Sequence, residues 1–85
     1  MNLTLEFFGP LQDKMGCPST RIQLENAPQT LSQLLELLNG KLDDIAPLQD
    51  PHIRLAINDA LCPSTETLSL TDGDRVAFLS PFSGG

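Results

Sequence analysis

The residues of this chain that are best placed to do chemistry are its last two, Gly84 and Gly85, which follow Phe82 and Ser83. A carboxylate beside residues without Cβ atoms is unhindered, and two glycines can thread a narrow channel into another protein's active site. Pro81 should end the preceding strand, so that the last residues extend from the domain. The sequence therefore predicts a reactive Gly85 carboxylate, unless the terminal glycines are incidental.

The composition fits one small domain that works through a partner. A chain of 85 residues has no room for a second core, and an elaborate catalytic pocket of its own is not expected. Its 11 acidic and 5 basic residues give a net charge of −6, which opposes binding to nucleic acid or to an anionic membrane. We expect a partner with a basic surface, although the acids are scattered and equally serve solubility.

The sequence predicts a cytoplasmic protein without a metal site. No stretch has the length of a membrane span, and the first residues lack the pattern of a signal peptide. Cys17 and Cys62 lie far apart without a C-x-x-C spacing, so we expect reduced thiols rather than a zinc site or a redox pair. The single histidine, His52, has no visible link to either thiol, which argues against a cysteine nucleophile.

Period-two alternation of apolar residues predicts strands near both ends of the chain. The first alternation, at residues 3–8, ends at Gly9-Pro10, and a polar connection leads to a second one at 22–24 that should pair with it antiparallel. A third alternation at 53–57 and the turn Asn58-Asp59 predict a hairpin that returns through Leu61 and Cys62. A tight turn at residues 71–74 precedes the last strand, at 75–80.

One clear helix lies between these strands. Thr30 as N-cap and Gln33 form a capping box, and the leucines that follow have helical spacing: Leu31, Leu34, Leu35 and Leu38. Asn39-Gly40 should end the helix, with Gly40 in the left-handed conformation. The leucine face should pack on the sheet, and the loop that follows should contain a short helical turn at 43–46.

The last strand is apolar on both of its faces, but one main helix can cover only one face of the sheet. With Val76 and Phe78 turned toward the helix, the other face should expose an apolar patch. Its predicted members are Phe8, Ala56, Ala77 and Leu79. Such a patch is typical of a partner interface, although single surface hydrophobic residues are also common.

The order of these elements resembles the ubiquitin-like β-grasp fold of the α+β class, with a domain at 1–80 and a flexible tail at 81–85. More closely, the segments LEFFGPLQDKMG, LAINDAL and LTDGDRVAFLSPFSGG resemble the small, sulfur-carrying subunits of molybdopterin synthases. The last segment carries most of this resemblance, since its T-D-G-D turn, apolar strand, proline and terminal glycines match without a gap.

The resemblance implies a role in molybdenum cofactor biosynthesis. A ubiquitin-activating-type enzyme would use ATP to adenylate Gly85, and sulfur would displace AMP to leave a thiocarboxylate. Gly84, Ser83, Phe82 and Pro81 would then insert with it into the large subunit of a heterotetrameric synthase. That subunit would supply the catalytic groups for dithiolene formation, and the chain itself would bind no cofactor stably.

Other functions remain open on the sequence. Sulfur carriers of the thiamine pathway share the fold and the Gly-Gly end, but they are typically shorter than this chain. A ubiquitin-like modifier would instead join Gly85 to a lysine of a target protein. A binding module with an incidental tail would leave the Gly85 carboxylate unmodified.

Overall fold

The last strand of the chain lies in the middle of a five-stranded sheet. The computed structural model describes residues 1–64 and 66–80, and the predicted tail at 81–85 lies outside them. The strands are β1 (Asn2–Phe7), β2 (Ser19–Gln23), β3 (Arg54–Ile57), β4 (Ala60–Leu61) and β5 (Arg75–Leu79). The helices are α1 (Pro10–Met15), α2 (Leu31–Leu38) and a 3-10 helix (Ala46–Gln49). The strand order in the sheet is β2-β1-β5-β3-β4.

Strand β5 pairs with a strand on each side, parallel to β1 and antiparallel to β3. The parallel register places Phe7 opposite Phe78, and the two rings pack with their centroids 5.8 Å apart. Antiparallel pairing of β1 with β2 and of β3 with β4 completes the sheet, as the alternation and the hairpin turn predict. The mixed sheet and its one main helix confirm the predicted ubiquitin-like β-grasp fold.

One face of the sheet and the leucine face of α2 contribute to a single apolar core. Its fully enclosed side chains are Leu3, Leu5, Phe7, Leu24, Leu34, Leu38, Leu48, Leu55, Val76 and Phe78. Two further leucines, Leu68 and Leu70, lie in the segment between β4 and β5 and are also buried in the core. An irregular connection therefore adds to the core that the strands and the helix build.

The predicted start of α2 is confirmed, whereas the predicted geometry of its end is wrong. The Thr30 hydroxyl accepts a hydrogen bond from the Gln33 N–H at 3.1 Å, and the Gln33 side chain accepts one from the Gln29 N–H at 2.7 Å. Gly40 is not in the left-handed region. The chain instead continues in a tight turn, because the N–H groups of residues 41 and 42 both donate to the carbonyl of Leu38.

The connection between β1 and β2, predicted as a polar loop, contains a short helix, α1. Gly9 (φ 61°) and Gly16 (φ 81°) flank this helix, and Pro10 lies at its first position, where the lack of an N–H costs nothing. Leu11 is its buried residue. One buried side chain in six residues gives no periodicity, so the helix is marked only by its proline and glycines.

The helical turn in the long loop was predicted three residues too early. The structure places the 3-10 helix at Ala46–Gln49 rather than at 43–46. The Asp44 carboxylate accepts a hydrogen bond from the Ala46 N–H at 2.9 Å, so the acidic residues precede the turn instead of forming it. Leu48 is fully buried, which anchors this loop to the core.

A hydrogen-bonded network joins the β3–β4 turn to the turn before β5. Asn58 and Asp59 both have positive φ, as a type I′ two-residue hairpin turn requires. The Asp74 carboxylate accepts hydrogen bonds from the Asn58 amide at 2.9 Å and from the Thr71 N–H at 2.9 Å and hydroxyl at 3.0 Å. These bonds, that of Asn58 first, hold the pKa of Asp74 below its ordinary value.

We predict that Asp74→Ala lowers the free energy of unfolding by about 1 kcal/mol at neutral pH, because several hydrogen bonds to one carboxylate are lost. The lowered pKa means that the charged form stabilises the fold above the ordinary aspartate pKa of about 3.9, and that this contribution disappears as the pH falls through the folded value. Denaturant unfolding at pH 7 and below pH 4 measures the difference between the variant and the wild type.

The difference should therefore shrink on acidification. Asp43→Ala is the matched control, since Asp43 is exposed and its side chain makes no hydrogen bond within the described chain. A variant as stable as the wild type at pH 7 would contradict the role given to the Asp74 network.

Candidate functional site

The predicted reactive tail follows directly from the central strand of the sheet. Strand β5 ends at Leu79, and the next residue, Ser80, is 8% exposed. The predicted tail residues Pro81, Phe82, Ser83, Gly84 and Gly85 lie outside the described part of the chain, so their roles stay predictions. The described residues at the root of this segment are held by strands on both sides of β5.

The predicted apolar patch lies on the sheet face opposite the core. Ala56 is the register partner of Ala77, and Leu79 lies two residues further along the same face of β5. Phe8, which directly follows β1, donates its N–H to the Phe78 carbonyl at 3.2 Å and so lies beside Leu79. Phe8 is 48% exposed, while Ala56 and Leu79 are half-buried. The four predicted residues are therefore neighbours in the fold.

Ala77 differs from the prediction because it is buried rather than exposed. It faces away from the core, yet only 6% of its surface is accessible. Its methyl group is short, and Glu6 on β1 and Ala56 on β3 flank it at the same level of the sheet. Ala77 therefore forms the floor of the patch and offers a partner little area.

Leu61 is a member of this surface that the sequence analysis did not include. It lies on β4 opposite Ala56 and is 52% exposed, more than Phe8 or Leu37, the other exposed large hydrophobic residues among those that the structure describes. The signal was present in the sequence, because a two-residue turn at Asn58-Asp59 fixes the register and puts Leu61 across from Ala56. We call Phe8, Ala56, Leu61, Ala77 and Leu79 the apolar band.

Arg75 lies beside the apolar band and is held by two carboxylates. Its guanidinium donates to Asp59 in the hairpin turn at 2.5 Å and lies 3.9 Å from the Glu6 carboxylate. Its hydrogen bond and charge interaction with Asp59 raise the pKa of Arg75 above its ordinary value. The two carboxylates thus partly neutralise the Arg75 charge and bring its guanidinium toward the hairpin turn and β1.

The cysteines and the histidine do not form a catalytic group. Cys17 and Cys62 are half-buried free thiols, and the Cys62 thiol donates to the Ser64 carbonyl at 3.0 Å. His52 is exposed and its ring lies 3.3 Å from the Asp50 carboxylate. Within residues 1–64 and 66–80, no three histidine, cysteine or acidic side chains group as metal ligands, and no helix could span a membrane.

A mixed sheet with the last strand at its centre, one main helix over one face and an apolar band on the other defines a ubiquitin-like β-grasp domain. Comparison with protein families gives a match to the ThiS family over residues 5–85. The chain therefore belongs to the ThiS family of ubiquitin-like sulfur carriers. A comparison with curated protein sequences gave no match.

Solved structures with the same fold include a subunit of a molybdopterin-converting factor and small archaeal modifier proteins. A chain in the complex of subunits 1 and 2 of the molybdopterin-converting factor from Helicobacter pylori is 26% identical, with 100% of both chains covered and a TM-score of 0.65. The solution structure of the HVO 2177 protein from Haloferax volcanii is 25% identical over 100% of this chain and 87% of that one, with a TM-score of 0.75. SAMP1 from Haloferax volcanii, at 21% identity, a TM-score of 0.71 and 100% coverage of both chains, shares the fold.

We predict that the exposed members of the apolar band contribute little to folding. Phe8→Ser and Leu61→Ser should each change the free energy of unfolding by less than about 0.5 kcal/mol, because these side chains face solvent. Leu55→Ala, on the core face of β3, should cost about 2–5 kcal/mol. Chemical denaturation of the three variants measures these values. A large loss of stability in the two serine variants would show that the band serves folding rather than recognition.

Proposed function

We propose that this chain is the sulfur-carrying subunit of a molybdopterin synthase and that it carries sulfur as a thiocarboxylate on Gly85. The observation that carries the proposal is the family match, which extends over the tail to residue 85 and its two glycines. The full-length similarity to a chain of the Helicobacter pylori molybdopterin-converting factor supports this pathway over others. In this role the protein acts in the cytoplasm.

The proposed chemistry needs activation, because a carboxylate is a poor electrophile. An adenylating enzyme would join the Gly85 carboxylate to the α-phosphate of ATP with loss of pyrophosphate. A sulfide-equivalent nucleophile would then attack the acyl carbon and release AMP, since AMP is a good leaving group. The product is a thiocarboxylate, a soft nucleophile that the large subunit would use to form the dithiolene of the pterin product.

The structure supports separate roles for the tail, which would carry the reacting atom, and for the sheet, which would bind the partner. Neither cysteine of the described residues contacts a base, so the chemistry is assigned to Gly85 and to the partners' active sites. The apolar band extends across the sheet on both sides of the strand that precedes the tail, and its exposed side chains, Phe8 and Leu61, give a partner a surface to bind while the tail reaches the reacting atoms. We therefore assign the band to partner binding, with the synthase large subunit and the adenylating enzyme as partners.

The modifier function is the second candidate. The archaeal modifier proteins have the same fold and end-to-end coverage, but at identities of 21% and 23% they show the fold alone. A thiamine-pathway carrier is a third, because the matching family model bears the name ThiS. All three candidates place the reacting atom on Gly85 and differ in what receives it.

Top-down mass spectrometry of the protein from its native cells tests the proposal. We expect a terminal oxygen-to-sulfur replacement located by fragmentation to Gly85, and we expect it to disappear when the adenylating enzyme is deleted. Removal of Gly85 should abolish the sulfur adduct without lowering the melting temperature, because a terminal residue adds little packing. A Gly85 linked to lysine would favour the modifier. A carboxylate that stays free while molybdenum enzymes are being made would contradict the sulfur-carrier function.

Charge substitution in the apolar band tests its proposed role in partner binding. Phe8→Asp and Leu61→Asp should weaken binding to the synthase large subunit by at least about tenfold, since a buried interface charge is costly. Leu37→Asp is the matched control, because Leu37 is 37% exposed and lies on α2, on the other side of the sheet. Titration calorimetry gives the affinities and circular dichroism verifies the fold. Equal binding by all three variants would contradict this assignment.

A further inference from the structure

The three arginines of this acidic chain all lie on the same face of the sheet as the apolar band. Arg21 on β2 and Arg75 on β5 flank Thr4, one on each side, in the row of residues that crosses the sheet at that level. Arg54 on β3 is the register partner of Leu79 and lies at the opposite margin of the band. Arg75 and Arg54 therefore lie next to residues of the apolar band, and Arg21 lies further out on the same face, on the edge strand β2.

Two of these arginines are available to a partner. Arg21 and Arg54 are exposed, and no carboxylate of residues 1–64 or 66–80 lies within ion-pair distance of either. Arg75, in contrast, already pairs with Asp59 and Glu6. The face thus carries two guanidinium groups whose hydrogen-bonding capacity is unused beside a band of apolar side chains.

The rest of the chain has the opposite charge. Of the 11 acidic residues, Glu6 faces outward on β1, Asp59 lies in the hairpin turn beside it, and both are engaged by Arg75. The other carboxylates lie on the helices, in the turns and in the connections, as do the two lysines, Lys14 and Lys41. The chain as a whole has a net charge of −6, but arginines predominate among the charged residues on this face of the sheet.

We propose that this face binds a protein surface that is apolar at its centre and carries carboxylates at its margins, with Arg54 and Arg21 as the residues that pair with them. The proposal rests on the proposed function and specifies the chemistry of its partner. It replaces the expectation of a basic partner surface, which came from the net charge. A planar guanidinium donates two parallel hydrogen bonds to one carboxylate, so each pair attracts the partner protein and also sets its orientation.

Other anionic partners fit this face less well. Nucleic acid and an anionic lipid surface would also attract arginines, but the net charge of −6 repels both at a distance. The apolar band between the arginines needs an apolar counterpart, which a phosphate backbone does not offer. A protein surface with an apolar centre and an acidic rim satisfies both requirements, and the charges then govern the association rate and the choice of partner.

The test measures association of the full chain with the purified synthase large subunit and adenylating enzyme of the same organism, by stopped-flow at several salt concentrations. Arg54→Glu and Arg21→Glu should each slow association about tenfold at low salt and flatten its salt dependence. Lys14→Glu is the matched control: it makes the same change in net charge on helix α1, and it should associate like the wild type.

Normal association of both arginine variants would overturn the proposal, and so would a Lys14→Glu defect of equal size, since net charge alone would then explain the effect. Binding of the wild type to phosphatidylserine vesicles or to single-stranded DNA in place of both proteins would also overturn it. Arg54→Gln serves as a further control. If it associates at the wild-type rate while Arg54→Glu associates slowly, the added carboxylate rather than the lost guanidinium causes the defect, and this result would count against the proposal.

Failure of this proposal and failure of the proposed function are distinguishable. If Gly85 carries sulfur but association does not depend on Arg54 and Arg21, the proposed function is supported and the inference about the arginines is overturned. Arginine-dependent association without sulfur on Gly85 supports the inference and removes the function. A wild-type chain that binds neither partner contradicts both.

Discussion

The whole structure depends on the pairing of the last strand between the first and the third. Because β5 is parallel to β1, the chain between them must return to the end of the sheet at which β1 begins. A strand in this position has neighbours on both sides and is covered on at least one face, which is why Val76 and Phe78 are fully buried and even Ala77 is nearly so. The same pairing holds β5 on both sides, and the residues that follow it therefore start from the centre of the sheet.

Much of this arrangement could be predicted from the sequence, because alternation and capping are local signals. The strands, the start of α2 and the hairpin turn each depend on residues close together in the chain, and each was found. The helix α1 was missed because a helix with one buried leucine has no period to detect. The end of α2 was mispredicted because Gly40 permits a left-handed conformation without requiring one. Leu61 was left out of the predicted patch although the two-residue hairpin turn already places it across from Ala56.

The distribution of charged residues over the surface is a clearer example of what local sequence patterns cannot predict. The composition gives only the total charge of the chain, and a net charge of −6 predicts a partner with a basic surface. The pairing of the strands decides on which face each charge lies, because alternate residues of a strand face opposite sides of the sheet. The three arginines come from three different strands. Their positions, 21, 54 and 75, are too far apart in the sequence for any local pattern to show that they share a face. Long-range electrostatics follows the net charge, whereas recognition at contact distance follows the local face.

The proposed role also explains why recognition must lie on the sheet. Two glycines have no side chains, so a Gly-Gly end contains no information that could distinguish one partner's channel from another's. Carriers and modifiers that share this end must therefore be told apart by contacts elsewhere, and specificity requires both attraction to the right surface and repulsion from wrong ones. In this chain the candidate contacts are the apolar band and the arginines, which lie across the outer face of the sheet whose central strand leads toward Gly85. The apolar band supplies contact area that many partners could use, while Arg54 and Arg21 restrict that choice to surfaces with carboxylates in matching positions.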